Sequence, residues 1–165
     1  MSVARDGMIV VGIADLNAVK SPGSLTTLGL GSCVGIALYD PVNKAAGLAH
    51  VMLPDSTQIQ NNGNEAKFAD TAIIRLIYQM LRLGARKELI TAKIAGGAQM
   101  FGSPTANSAL RIGDRNVEAA LKFLGAQGIP VIGRDTGSNY GRTVELYADD
   151  GKFLIKTIGH GSRFI

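Results

Sequence analysis

Cysteine is almost missing from this chain: one thiol, Cys33, in 165 residues, beside only two histidines. A lone cysteine excludes an internal disulfide, and one Cys with two His leaves too few soft ligands for a dedicated zinc site. The thiol is therefore expected free, in a reducing compartment, and no metal or organic cofactor is implied. Long apolar runs are lacking too. In MSVARDGMIVVGIADLN a single Arg is followed by Asp6, and Gly12 and Asp15 interrupt the apolar stretch, so the segment reads as neither signal peptide nor membrane span. The expectation is a cytoplasmic protein without membrane insertion. Dense basic clusters are also absent: the net charge of +4 is spread along the chain, and no predicted helix interleaves a basic face with aromatics. Nothing here supports nucleic-acid binding, whereas a mild positive field favours an acidic partner surface. There is no repeat, low-complexity tract or charged linker, and nothing signals an oligomer. Residues 1–165 read as one domain, long enough to bury a core without a disulfide or metal.

What the chain does have is 21 glycines, set as punctuation between short apolar segments. Residues 8–14, 25–30, 34–39 and 45–52 read as strands, the last two forming a hairpin around Asp40-Pro41-Val42-Asn43. From Ala66 to Leu83 the apolar period becomes helical, with Ala69, Ile73, Leu76, Ile77 and Met80 on one side as a core face, and Gly84 as the stop. A further strand is predicted at 89–95. A second helix starts near Asp114, carries Val117, Ala120, Leu121 and Leu124, and ends before Gly128. Strands at 129–133, 142–147 and 153–158 follow, the last two joined by Asp149-Asp150-Gly151, and the tail around His160 reads as flexible. The predicted class is α/β: mixed or antiparallel sheets with two main helices packed on one side, layered α-β-β.

The cysteine lies in Thr26-Thr27-Leu28-Gly29-Leu30-Gly31-Ser32-Cys33-Val34-Gly35. A phosphate-cradling loop is excluded because the glycines run G-x-G-x-x-x-G and lead into a strand rather than a helix N-terminus. Two readings remain: a buried cysteine packed as a small hydrophobe, or a nucleophile on a tight turn. His50 bears on the choice. If Asp40 pairs with Lys44 around a three-residue loop, His50 faces Val34; a register one residue different pairs it with Cys33, and facing residues stand close enough for thiol and imidazole to meet. A histidine simply satisfied within an apolar strand is the alternative.

The blocks TLGLGSCV at 27–34, Asp40-Pro41 and AHVMLPDS at 49–56 resemble the bacterial chemoreceptor glutamine deamidase family, CheD. So do AGGAQMF at 95–101, IGDRN at 112–116 and the segment Gly137–Arg142, in the family's order. The resemblance implies a cysteine hydrolase that converts selected glutamines of chemotaxis receptors to glutamate. By motif the nucleophile is Cys33, the base His50 and the third triad member Thr27. Backbone N–H groups near Ser32 and Cys33, made accessible by Gly31, are candidates to stabilise the oxyanion, and Gly96, Gly97 and Met100 to line an open, shallow site for a receptor helix; a plain turn after a buried strand is the other reading of 96–100. The resemblance also implies an alternative role, as a non-catalytic regulatory partner of a CheC-type chemotaxis phosphatase, and the same acyl chemistry admits methyl-ester hydrolysis. One departure stands at Ser138, where the family often has glycine.

Overall fold

The computed structural model describes residues 3–4, 7–58, 63–100 and 111–165. Among them the elements run β1 (Val3–Ala4), β2 (Met8–Val10), β3 (Asp15–Lys20), β4 (Ser24–Leu30), β5 (Val34–Asp40), β6 (Ala45–Val51), α1 (Ala69–Arg82), β7 (Thr91–Gly96), α2 (Ile112–Ala126), β8 (Val131–Thr136), β9 (Arg142–Tyr147), β10 (Phe153–Thr157) and β11 (Gly161–Phe164). One sheet has the order β1-β2-β4-β9-β10-β11 and the other β3-β6-β5-β7-β8. The pairs β2–β4 and β7–β8 are parallel and the rest antiparallel.

Two cores separate three layers. Ile73, Leu76, Ile77 and Met80 of α1, with Val117, Ala120 and Leu124 of α2, pack on Val34, Ile36, Leu38, Ala49 and Val51 of the five-stranded sheet. The other face of that sheet, through Ala37, Ala46, Leu48 and Ala95, packs on Leu25, Leu30, Val144, Leu146, Phe153 and Ile155 of the six-stranded sheet. The predicted α-β-β layering is the observed one. So is the role of the Ile73–Met80 face as core.

Several details differ from the sequence reading. Residues 15–20 form the edge strand β3, laddered to β6 from Asp15↔His50 to Lys20↔Ala45, although Leu16, Ala18 and Val19 are its only apolar side chains and just Leu16 is fully buried. The tail after Gly159 is a strand rather than a loose end. β11 is exposed along its length and is held by its ladder to β10, which leaves no burial pattern to read. The hairpin register also differs from both predicted ones: Asp40 pairs with Ala45 around a four-residue loop. The Asp40 carboxylate accepts the N–H groups of Val42 and Asn43 at 2.9 and 3.0 Å, and Lys44 takes φ +49°. That Asx turn adds the extra residue.

Candidate active site

Strand β4 belongs to one sheet and β5 to the other, and Gly31-Ser32-Cys33 is the crossing between them. Cys33 is half-buried there, one residue before β5. In the observed register His50 stands opposite Gly35, so Cys33, two residues earlier, lies on the same face of the sheet, one diagonal step from His50. That face looks between the sheets. From the far side, Thr27 on β4 meets His50, and both are fully buried.

The Thr27 Oγ1 lies 2.6 Å from the Val11 carbonyl oxygen and 2.7 Å from His50 Nδ1. A carbonyl can only accept, so the single hydroxyl proton goes to Val11 and the oxygen must receive one from Nδ1–H. His50 Nε2 is then unprotonated. It is buried and has no hydrogen-bond partner among the described residues. A lone pair in that state is a base held ready, in the layer onto which the cysteine loop opens.

Asp15 is directly across from His50 in β3, yet its carboxylate accepts from Leu16 N–H at 2.8 Å. Among the described residues a neutral hydroxyl is the ring's one hydrogen-bond partner, so no charge there offsets the cost of burying a charged imidazole, and burial lowers His50 to about 4. Burial also raises Cys33, and its own backbone N–H works in the opposite sense as the smaller cause. Both shifts favour a neutral thiol beside a neutral imidazole.

The loop itself is gripped from beneath. Gly97 N–H donates to Cys33 O at 2.8 Å and Ala98 N–H to Gly31 O at 2.9 Å. A Cβ at Gly96, whose φ is +108°, would stand 2.3 Å from Cys33 O, so this approach requires glycine. Gly96 and Gly97 are buried supports of the loop rather than an open lining. Met100 is exposed and its side chain lies against Gly31, where a Cβ would be 3.2 Å from Met100 Cγ. Ser32 is half-buried. Leu28, on the β4 bulge after Thr27, and Ile13, before the Ala14 N–H that donates to His50 O, are further exposed apolar side chains beside the site. Phe101 lies outside the described residues.

Two groups escaped the sequence reading. Val11 supplies the carbonyl that sets the Thr27 hydroxyl, and a backbone atom leaves no trace in sequence. Asn116 of α2 donates from Nδ2 to Ser32 O and to Met52 O, each at 2.9 Å; an amide on the buried stripe of an amphipathic helix was its available signal. In the Gly137–Arg142 segment, the buried Arg142 guanidinium holds Asp135 Oδ1 at 2.9 Å and the carbonyls of Gly137 and Tyr140. His160 stacks on Tyr140 with ring centroids 4.1 Å apart. Among the described residues, no group of three or more His, Cys, Asp or Glu side chains could hold a metal, and no helix is long and apolar enough to cross a membrane.

Fold and register together define a three-layer α/β protein with a thiol on the loop that crosses between its sheets and, on the same sheet face, an imidazole bonded to a buried hydroxyl. The family model CheD, described as CheD chemotactic sensory transduction, matches residues 52–157. A protein of Caldanaerobacter subterraneus subsp. tengcongensis named "Probable chemoreceptor glutamine deamidase CheD" is 56% identical over 155 residues, covering 94% of this chain and 96% of its own. Its namesake in Moorella thermoacetica is 51% identical over 165 residues, covering 99% of each. The chain belongs to the CheD family. Among solved structures, the Bacillus licheniformis hypothetical protein YfiH overlaps with a TM-score of 0.43 and 19% identity, covering 76% of this chain and 50% of that one.

Proposed function

We propose that this protein is a chemoreceptor glutamine deamidase, an amidohydrolase that converts selected receptor glutamines to glutamate through a thioester on Cys33. The names and coverage of its relatives support the activity. The observation that supports the chemistry is the Thr27–His50 hydrogen bond, which leaves Nε2 unprotonated on the sheet face shared with Cys33.

His50 Nε2 takes the proton of Cys33, and sulfur attacks the carboxamide carbon of the substrate side chain, whose carbonyl π pair moves onto oxygen. Backbone N–H groups at Ser32 and Cys33 face this oxyanion. As the carbonyl re-forms, the C–N bond breaks and the leaving nitrogen takes the His50 proton to depart as ammonia. Water then gives a proton to His50 and adds to the thioester; the C–S bond breaks, the sulfur is reprotonated from His50, and glutamate remains. Thr27 holds the ring in the required tautomer throughout. Met100, Leu28 and Ile13 supply the apolar rim against which a receptor helix rests. The reaction takes place in the cytoplasm, where the receptor's helical signalling region lies. Association with a CheC-type phosphatase is the alternative role, and it would not need the thiol.

The test is mass spectrometry of a cognate receptor cytoplasmic fragment after incubation with wild type or Cys33→Ala. Glutamine-to-glutamate conversion by wild type alone is the expected result. Conversion by neither protein refutes the enzymatic reading and leaves the phosphatase-binding role. A methylated fragment in the same assay distinguishes amide from ester hydrolysis.

A further inference from the structure

Asn116 is the one polar side chain among the buried residues of α2, and it has no solvent exposure. Its amide nitrogen donates to the carbonyls of Ser32, immediately before the nucleophile, and Met52, two residues after the base. Both partners only accept, so an NH2 group is required there and a carboxylate of the same shape would be repelled. The cost is visible on its other side: Oδ1 is buried without a hydrogen-bond partner among the described residues. An apolar residue would avoid that cost but would abandon both carbonyls.

The helix turn carrying Asn116 meets the cysteine loop a second way. A Cβ at Gly113 would stand 2.4 Å from the Ala98 carbonyl oxygen, and Ala98 N–H holds Gly31 O. The first turns of α2 thus press on the support of the loop at Gly113 and hold the loop directly at Asn116. We propose that Asn116 is a positioning residue for the reaction: by clamping the carbonyls of Ser32 and Met52 it sets the separation of Cys33 Sγ from His50 Nε2. The effect on turnover rests on the deamidase reading, whereas the effect on thiol reactivity does not.

The experiment measures kcat and KM for receptor glutamine conversion, together with the rate of Cys33 alkylation by iodoacetamide. It uses wild type, Asn116→Ala, His50→Asn and the double variant. Asn116→Ala is expected to lower kcat about 100-fold while KM stays within about threefold. His50→Asn is expected to change the alkylation rate in the wild-type background and to have little further effect in the Asn116→Ala background. A folded Asn116→Ala protein with kcat within about threefold of wild type overturns the proposal, as does a His50 effect on alkylation that is absent in wild type or equal in both backgrounds. If the alanine variant does not fold, Asn116→Asp replaces it. Its carboxylate cannot donate but its protonated form donates once, so alkylation relative to wild type should recover as pH falls from 8 towards 5; a profile parallel to wild type overturns the proposal. Should wild type convert no glutamine, the deamidase reading fails while the alkylation cycle still decides on Asn116.

Discussion

Burying His50 as a neutral ring makes the stability of the whole protein depend on pH, and the size of the effect follows from the site. His50 has no solvent exposure, and burial lowers its pKa from 6.5 to about 4. Between those two values the unfolded chain binds a proton that the folded chain refuses, so stability rises with pH through this window and is lost as pH falls from 6.5 towards 4. At about 1.4 kcal/mol for each tenfold change in proton affinity, the full loss is about 3 kcal/mol, and about 2 kcal/mol of it is gone by pH 5. The perturbation is His50→Asn, whose amide nitrogen can still donate to Thr27 but does not titrate. The assay is urea denaturation of both proteins at half-unit intervals from pH 7.5 to 4.5. Carboxylates and His160 are present in both proteins and drop out of the difference. Wild type should lose about 2 kcal/mol more than His50→Asn between pH 7 and pH 5, with equal m-values. Parallel curves, within about 0.5 kcal/mol, would refute the reasoning by showing that the ring is solvated or charged in the folded state.

Thr27→Val should cost about 2 kcal/mol of stability, because it leaves His50 Nδ1–H and the Val11 carbonyl buried and unpaired. It should also lower kcat about 100-fold through loss of the tautomer, while Thr27→Ser keeps most of both, as urea melts and turnover on the receptor fragment will measure. Gly96→Ala, which must place Cβ 2.3 Å from Cys33 O at φ +108°, should cost about 3 kcal/mol. Gly137→Ala, at φ +84° with open space around it, should cost only about 1 to 2 kcal/mol in parallel urea titrations. Arg142→Met should cost about 2 kcal/mol by leaving Asp135 Oδ1 and two loop carbonyls unpaired, while Arg163 still holds Asp135 Oδ2, and hydrogen exchange should show faster opening at residues 137–141.

The layering and the helices were legible in the sequence because burial writes a period into it: 3.6 along α1 and α2, short apolar runs along β5, β6 and β7. Two edge strands were not. β3 and β11 are held by ladder hydrogen bonds made with backbone groups that every residue carries, so Asp15–Lys20 and Gly161–Phe164 leave little compositional mark. The hairpin register failed at one point, the number of residues the Asp40 turn encloses. A one-residue slip moves side chains to the opposite face, and here the observed register keeps Cys33 and His50 on one face although they are not directly opposed. Thr27 was legible only through its motif. Its partner is a ring in the other sheet, 23 residues away in sequence, and a β-branched strand residue signals no such contact.

Among the described residues no carboxylate hydrogen-bonds the His50 ring, and this decides how the thiol rests. A thiolate–imidazolium pair needs a pKa order in which the imidazole out-competes the thiol for the proton, and in the free protein the order is reversed: His50 falls to about 4 while Cys33 is raised. Burial causes both shifts, so neither can be undone while the site keeps its packing. On the proposed mechanism the proton therefore stays on sulfur until a substrate carbonyl is in place and the negative charge passes from sulfur to an oxyanion that backbone N–H groups can hold. A thiol governed this way rests protonated and is slow towards solvent oxidants and electrophiles, and what attack remains is the part that His50 Nε2 sustains by taking the thiol proton. On the proposed mechanism it is fastest towards a carboxamide delivered to the loop, which suits a lone cysteine that acts on selected glutamines.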